Sequence, residues 1–323
     1  MTNSNNKWKK RFLSSSLPLE FEVTKILADK KFMVTNDYSF FRKTDKEFKE
    51  FSADLKGLLL FPLNNNNDIK ASLNVLIECK YRDEGKKWLF LPDLNKTDVA
   101  NQVLGYGIRV LGEFSKKEIK TNPIYNFESK VEFGLKGIEL NVNTGEVFDT
   151  DIRHGINQLK YALPYLVMDS IEGNLWGHFD DIVPDFIIPI LVTNADLFKL
   201  KKNFRIDDMN HIDSIDEIAD KVPYLMSYSD IGPDFTEHHK EVFKNFEIKI
   251  SNNKNLEKIE RLQSTYQSEY SFYKSPSRCC NELEKSYKST LIRYYTHFFI
   301  CSFDNLDNLM KKILKLIPKT IRD

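Results

Sequence analysis

The triplet Glu78-Cys79-Lys80 closes an apolar run, Val75-Leu76-Ile77, and a second acid, Asp54, stands in the apolar run before it. In a strand, residues two apart share a face, so Glu78 and Lys80 point together and Cys79 points away. If the two runs pair as a hairpin, Asp54 comes beside Glu78 and two hard oxygen donors lie close together. That pattern suits a sparse divalent-cation site, because Mg²⁺ keeps several waters and takes one or two carboxylates plus substrate phosphate oxygens. Such an ion lowers the pKa of a bound water and offsets charge developing on a phosphoryl centre. A lysine beside it orients the attacking water or stabilises the pentavalent state. The main-chain carbonyl of Cys79 is a plausible further ligand. The chemistry on offer is metal-assisted hydrolysis of a phosphate ester, with Mn²⁺ able to replace Mg²⁺.

A carboxylate-x-lysine triplet alone means little in a chain with 29% charged residues. Its weight comes from the elements around it. Leu19, Val23, Ile26 and Leu27 repeat at helical spacing after Pro18, and that helix should stop near Lys30-Lys31 before a strand at Phe32-Met33-Val34. A charged stretch, residues 42–50, follows. The apolar runs 55–61 and 73–77 are then separated by Asn64-Asn65-Asn66-Asn67-Asp68, a composition suited to an exposed turn, and together they read as a hairpin. Trp88-Leu89-Phe90-Leu91 forms a further strand ending at Pro92, and residues 98–114 read as a helix weakened by Gly105 and Gly107. A hairpin over 130–149 turns at Asn143-Thr144-Gly145. A helix over 155–170 carries Pro164. Phe186 to Val192 and Phe298-Phe299-Ile300-Cys301 are β-type runs, and Asp304 is placed to cap a last amphipathic helix on Leu306, Leu309, Ile313 and Leu316. Strands and helices alternate throughout, so the class is α/β.

In this order of elements, residues 19–90 resemble the PD-(D/E)xK nuclease superfamily, the restriction-endonuclease-like fold. The segments that carry the likeness are Leu19 to Leu27, Phe32-Met33-Val34, Ala53-Asp54, Leu76-Ile77-Glu78-Cys79-Lys80 and Trp88-Leu89-Phe90, with Ala53 where the family's leading proline would stand. The resemblance implies a central mixed β-sheet flanked by helices, with Asp54, Glu78 and Lys80 as the catalytic set and Mg²⁺ on Asp54 and Glu78. It also implies an acid on the first helix. Helix geometry does not choose between Glu20 and Glu22, which border the apolar stripe on opposite sides; the resemblance favours Glu22 as a further metal ligand. Members carry a Gln, or a Gln and a Tyr, on a helix lining the nucleic-acid groove, which points to Gln158 and, more weakly, to Tyr161 and Tyr165. The implied substrate is nucleic acid, with DNA favoured, and the implied role is bacterial genome defence or repair.

Lysine plus arginine number 47 and aspartate plus glutamate 47, so net charge is zero. That disfavours a constitutive nucleic-acid coat protein but permits an enzyme with a local basic groove. No stretch approaches roughly 18 uninterrupted apolar residues, so no membrane span is expected, and nothing in the first eleven residues reads as a secretory signal; a cytoplasmic location follows. Cys79, Cys279, Cys280 and Cys301 lack zinc-type spacing and read as free thiols. The expected layout is a flexible basic tail over 1–11, a nuclease core over 12–195, and an α/β extension over 196–323 that could pack into the same domain. The basic groups at 7–11, 199–205 and 311–312 are each better read as solvated charge; the first is the most suggestive of phosphate contacts, through Lys9, Lys10 and Arg11, because Trp8 adds a stacking surface beside them. His154, His238 and His239 read as surface or structural residues. Two other readings stay open: a nucleic-acid-binding module without turnover, and an effector subunit silent until a ligand or defence-system partner engages the C-terminal half. A homodimer is compatible with all of them.

Overall fold

The computed structural model describes residues 7–44, 47–62, 69–95, 105–112, 115, 117–176, 182–251, 281–285 and 287–322. Its strands are β1 (Met33–Thr44), β2 (Glu47–Phe61), β3 (Ala71–Lys80), β4 (Lys86–Pro92), β5 (Arg109–Leu111), β6 (Glu118–Ile119), β7 (Phe133–Asn141), β8 (Val147–Phe148), β9 (Asp185–Thr193), β10 (Asp196–Leu200), β11 (Ala219–Val222), β12 (Tyr224–Tyr228), β13 (His297–Ser302) and β14 (Ile321–Arg322). Its helices are α1 (Lys7–Leu13), α2 (Leu17–Asp29), α3 (Asn122–Glu128), α4 (Thr150–Trp176), α5 (Ile215–Ile218), α6 (Pro233–Ser251), α7 (Lys288–Tyr295) and α8 (Phe303–Thr320).

The chain is an α/β protein built on one large mixed sheet with helices on both faces. The strand order is β1-β2-β3-β9-β13-β12-β7-β4-β10-β11, with β5 on β9 and β8 on β7. The β1–β2–β3 meander is antiparallel, whereas β3, β9 and β13 run parallel to one another. Strands β3 and β9 are buried along nearly their whole length, as expected of parallel strands covered on both faces. One core lies under α4, α6 and α7, and the other under α2, α3 and α8. Strands β10 to β13 sit in the same sheet as β1 to β3, so residues after 195 complete this sheet and are not appended to a finished one.

Several sequence expectations hold. The hairpin of β2 and β3 pairs Leu55 with Ile77, the 133–148 hairpin turns through Gly145 at φ +75°, and the last helix buries Leu306, Leu309, Ile313 and Leu316. Others are corrected. Within the charged stretch 42–50, residues 42–44 and 47–50 belong to the paired outer parts of β1 and β2, since β1 pairs with β2 from Met33 as far as Thr44. Part of the expected 98–114 helix lies outside the described residues, but Arg109 to Leu111 form β5, drawn into extension by pairing with β9. Ser302 occupies the N-cap of α8, so Asp304 falls in its first turn. Of the expected basic tail, Lys7 to Arg11 belong to α1, while residues 1–6 lie outside the described residues, as do the turn at 64–68 and Cys279-Cys280.

Candidate functional site

The C-terminal ends of the parallel strands β3 and β9 define where the site sits, the usual place for ligands on an open α/β sheet. Alternation along β3 sends Leu76 into the core under α4 and Ile77 and Cys79 into the core under α2 and α8. Glu78 and Lys80 therefore share the α4 face, and the Cys79 thiol is buried on the other side. This follows from strand geometry alone.

Asp54 is placed by an interruption of the pleat. Leu55 packs in the core under α2, yet Ala53, two residues away, packs in the core under α4. An unbroken strand would put both on one face. The break is at Asp54, opposite Asp37, whose backbone is left-handed at φ +54°. Among non-glycine residues Asn and Asp tolerate that conformation best, because the short polar side chain can satisfy local backbone groups. Released from both cores, the Asp54 carboxylate accepts a hydrogen bond from the Cys79 amide at 2.6 Å, beyond the last ladder pair of β2 with β3.

Glu78 is 1% exposed. Its Oε1 accepts from Lys80 Nζ at 2.6 Å, its Oε2 is fully buried, and the Asp54 backbone amide also acts on the carboxylate. The Lys80 ammonium donates also to Gln158 Oε1 at 3.1 Å, and the Gln158 amide nitrogen donates to the Ser52 carbonyl at 3.1 Å. Gln158 thus ties α4, β2 and β3 together around Lys80. Burial pushes the Glu78 carboxyl up to about 8, reinforced by the Asp54 charge and opposed by Lys80. Burial also raises Asp54, to about 6, with the Cys79 amide and Lys80 opposing and Glu20 and Asp37 reinforcing. Two neighbouring carboxyl groups, both raised by burial and Glu78 further by the Asp54 charge, form a site that a cation would relieve.

Neighbouring residues fix this geometry. A Cβ on Gly155 would lie 2.6 Å from Leu191 Cδ1 and 3.3 Å from Lys80 Cε, so glycine is what lets α4 approach the strand ends this closely. Asn194, just after β9, accepts from the Arg82 amide at 2.6 Å and donates to the Arg82 carbonyl at 2.8 Å, which joins the chain leaving β3 to that leaving β9. The Arg82 guanidinium lies against the buried Glu139 and 3.1 Å from Asp151 of α4. His154 is exposed one helical turn before Gln158; its pKa is lowered by partial burial and by the Lys80 charge.

The structure thus brings Asp54, Glu78, Lys80 and Gln158 together. Glu22 is corrected: it is exposed and paired with Lys25 at 2.9 Å, whereas Glu20, on the other border of the stripe, is the helix acid whose charge reaches Asp54 and Cys79. Tyr161 is corrected too. It is buried, with the Arg42 guanidinium 3.7 Å from its ring centre and Phe235 and His238 packed edge-on, so it faces no open groove. Lys9 and Arg11 are exposed on α1; the Lys10 side chain lies outside the described set. Lys199 pairs with Glu132, Lys201 donates to the carbonyls of Asp216 and Glu217, Lys311 pairs with Asp307, and Lys312 donates to Tyr224, so these cations are engaged within the chain. Asp37, Gly155 and His154 join the neighbourhood without having been singled out for it. The Asn36-Asp37 pair within a β-type run was a usable signal for the first, and helical spacing from Gln158 for the third.

Among the described residues, no three His, Cys, Asp or Glu side chains converge into a metal-holding group. The donor set is therefore two carboxylates, which suits an ion that retains water and does not suit a closed all-protein cage. No described helix is long and apolar enough to cross a membrane. Compared with family models, curated proteins and solved structures, the chain gives no match.

Proposed function

We propose that the chain is a divalent-metal-dependent phosphodiester hydrolase acting on nucleic acid, a nuclease of restriction-endonuclease-like type. The observation that carries this reading is the convergence of two raised carboxyl groups, buried Glu78 and Asp54, beside the Lys80 ammonium at the ends of β3 and β9. One lysine does not neutralise two neighbouring carboxyl groups, and a buried carboxylate left without enough countercharge is costly. A divalent cation would supply the missing charge.

In this reading Asp54 and Glu78 hold Mg²⁺, with the Cys79 carbonyl as a candidate third donor and Glu20, in place of Glu22, adding negative field. When bound, the ion supplies an acidified water and charge neutralisation at the phosphate. Asp54 is kept in place by the Cys79 amide and Glu78 by Lys80. The Lys80 ammonium, released in part from Glu78, stabilises negative charge at the phosphate or orients the incoming water. Gln158 aims it by fixing Nζ from the far side. Glu139, Arg82 and Asp151 keep α4 and the β3 end in register.

Cleavage of labelled single- and double-stranded DNA and of RNA, with Mg²⁺ or Mn²⁺ and with EDTA, tests the proposal. EDTA, Asp54→Ala and Lys80→Ala should each abolish hydrolysis. Cleavage by Asp54→Ala or Lys80→Ala at the parent rate would overturn the site assignment.

A further inference from the structure

The helix α1, Lys-Trp-Lys-Lys-Arg-Phe-Leu, holds four cations and no acid in seven residues of a chain whose net charge is zero. It ends where the Ser14 and Ser15 hydroxyls turn back onto the Arg11 and Phe12 carbonyls at 3.0 and 2.7 Å, and α2 begins at Leu17. This short join and the packing of α1 on α2 hold α1 at the end of α2 that carries Glu20, which is the end facing Asp54. Around the join, large apolar side chains stay outside the cores. Trp8 is 60% exposed, Phe12 47% and Phe21 62%. Lys9 Nζ lies 5.9 Å from the Trp8 ring, and Lys25 Nζ, which is also held by Glu22 at 2.9 Å, lies 5.5 Å from the Phe21 ring.

We propose that α1 and the first turns of α2 form a docking surface for an unpaired stretch of nucleic acid entering the Asp54–Glu78 site, an inference that rests on the hydrolase reading and narrows its substrate to one with a single-stranded segment. Open aromatic rings with adjacent cations match what an unpaired strand displays, a base face and a phosphate repeated along the chain. A duplex hides its base faces in the stack and offers α1 only phosphates, for which the rings have no use. A lipid surface or a second copy of the chain would also cover exposed apolar residues. Neither accounts for the surface lying beside a pair of carboxyl groups, with the Lys9 cation next to the Trp8 ring.

The test uses the full chain in EDTA, where hydrolysis is off, and reads fluorescence anisotropy of a labelled oligothymidylate, alone or annealed to its complement. The single strand should bind more tightly, and Trp8→Ala should weaken it about tenfold, the loss of one stacked base. Phe21→Ala, a change on the outside of α2, should weaken it as well, so that the effect cannot be ascribed to loss of α1. Lys9→Gln and Arg11→Gln should each flatten the salt dependence by about 0.7 in log–log slope. Equal affinity for single strand and duplex would overturn the proposal. So would unchanged binding by Trp8→Ala and Phe21→Ala, binding to anionic vesicles in place of the oligonucleotide, or a dimer that Trp8→Ala dissociates. Binding that passes these tests in a chain that never cleaves would sink the hydrolase reading and leave the docking surface; cleavage without single-strand preference would do the reverse.

Discussion

Replacing Glu78 by glutamine should stabilise the metal-free protein while removing its activity. A carboxyl that ionises at about 8 in the fold and at 4.5 in the ordinary case penalises the fully ionised folded state by about 5 kcal/mol, at about 1.4 kcal/mol per pH unit. The sign follows from proton binding. Between those two values the folded chain holds the proton and the unfolded chain has lost it, so stability falls as pH rises through that window and the full penalty is present above the folded value. Glu78→Gln keeps the shape and the acceptor for Lys80 but cannot ionise. Lys80 then trades a carboxylate acceptor for a neutral amide oxygen, a loss of about 1–2 kcal/mol, and water entry from the Lys80 side reduces the penalty in the parent. The expected net gain is about 2 kcal/mol near pH 9 and close to nothing near pH 5, where the folded-state carboxyl is already neutral. Thermal unfolding followed by circular dichroism in EDTA across that range reads it directly, as a rise in Tm of a few degrees confined to the alkaline side. Adding Mg²⁺ should raise the Tm of the parent most at high pH and leave the variant unmoved. Equal Tm values at alkaline pH, or a gain larger in acid than in alkali, would refute the account of Glu78 as a destabilised, cation-seeking carboxyl.

Three further outcomes follow from the same geometry. Gln158→Ala leaves the Ser52 carbonyl and one Lys80 donor without their partner; it should cost about 1–3 kcal/mol in stability and lower kcat more than it raises KM, read by urea unfolding and steady-state cleavage. Gly155→Ala forces α4 away from Leu191 and Lys80, and should destabilise by about 1–3 kcal/mol despite alanine's better helix propensity; an unchanged or higher Tm would show that Leu191 yields freely. Glu20→Gln should weaken Mg²⁺ binding measured calorimetrically, whereas Glu22→Gln, on the exposed side of α2, should leave it unchanged.

Much of the site was legible because it depends on local rules. Alternation put Glu78 and Lys80 on one face and Cys79 on the other. The two apolar runs around an Asn-rich turn implied the hairpin that brings Asp54 near. Gln158 emerged from the likeness of a helix and does contact Lys80. The failures share one cause, that the deciding partner is distant in sequence. Glu20 and Glu22 border the same stripe symmetrically, and only the docking of α2 on β2 and β3 decides which one faces Asp54. Tyr161 looked like a groove residue on its helix, but Arg42 from the β1–β2 hairpin and Phe235 and His238 from α6 enclose it. The apolar run ending at Leu111 suits a helix or a strand equally well until β9 supplies hydrogen-bond partners.

By itself, then, the amino-acid sequence determined the α/β class, the strands that carry Asp54, Glu78 and Lys80, and the direction in which the last two point, because periodicity and turn chemistry act within a few residues. Tertiary structure decided which helix acid approaches, how the pleat breaks at Asp37 and Asp54, that Gly155 admits α4 to the strand ends, and that strands after residue 195 close the sheet around β9. Those outcomes depend on burial and on charges brought together across the fold, and neither is a property of any local segment.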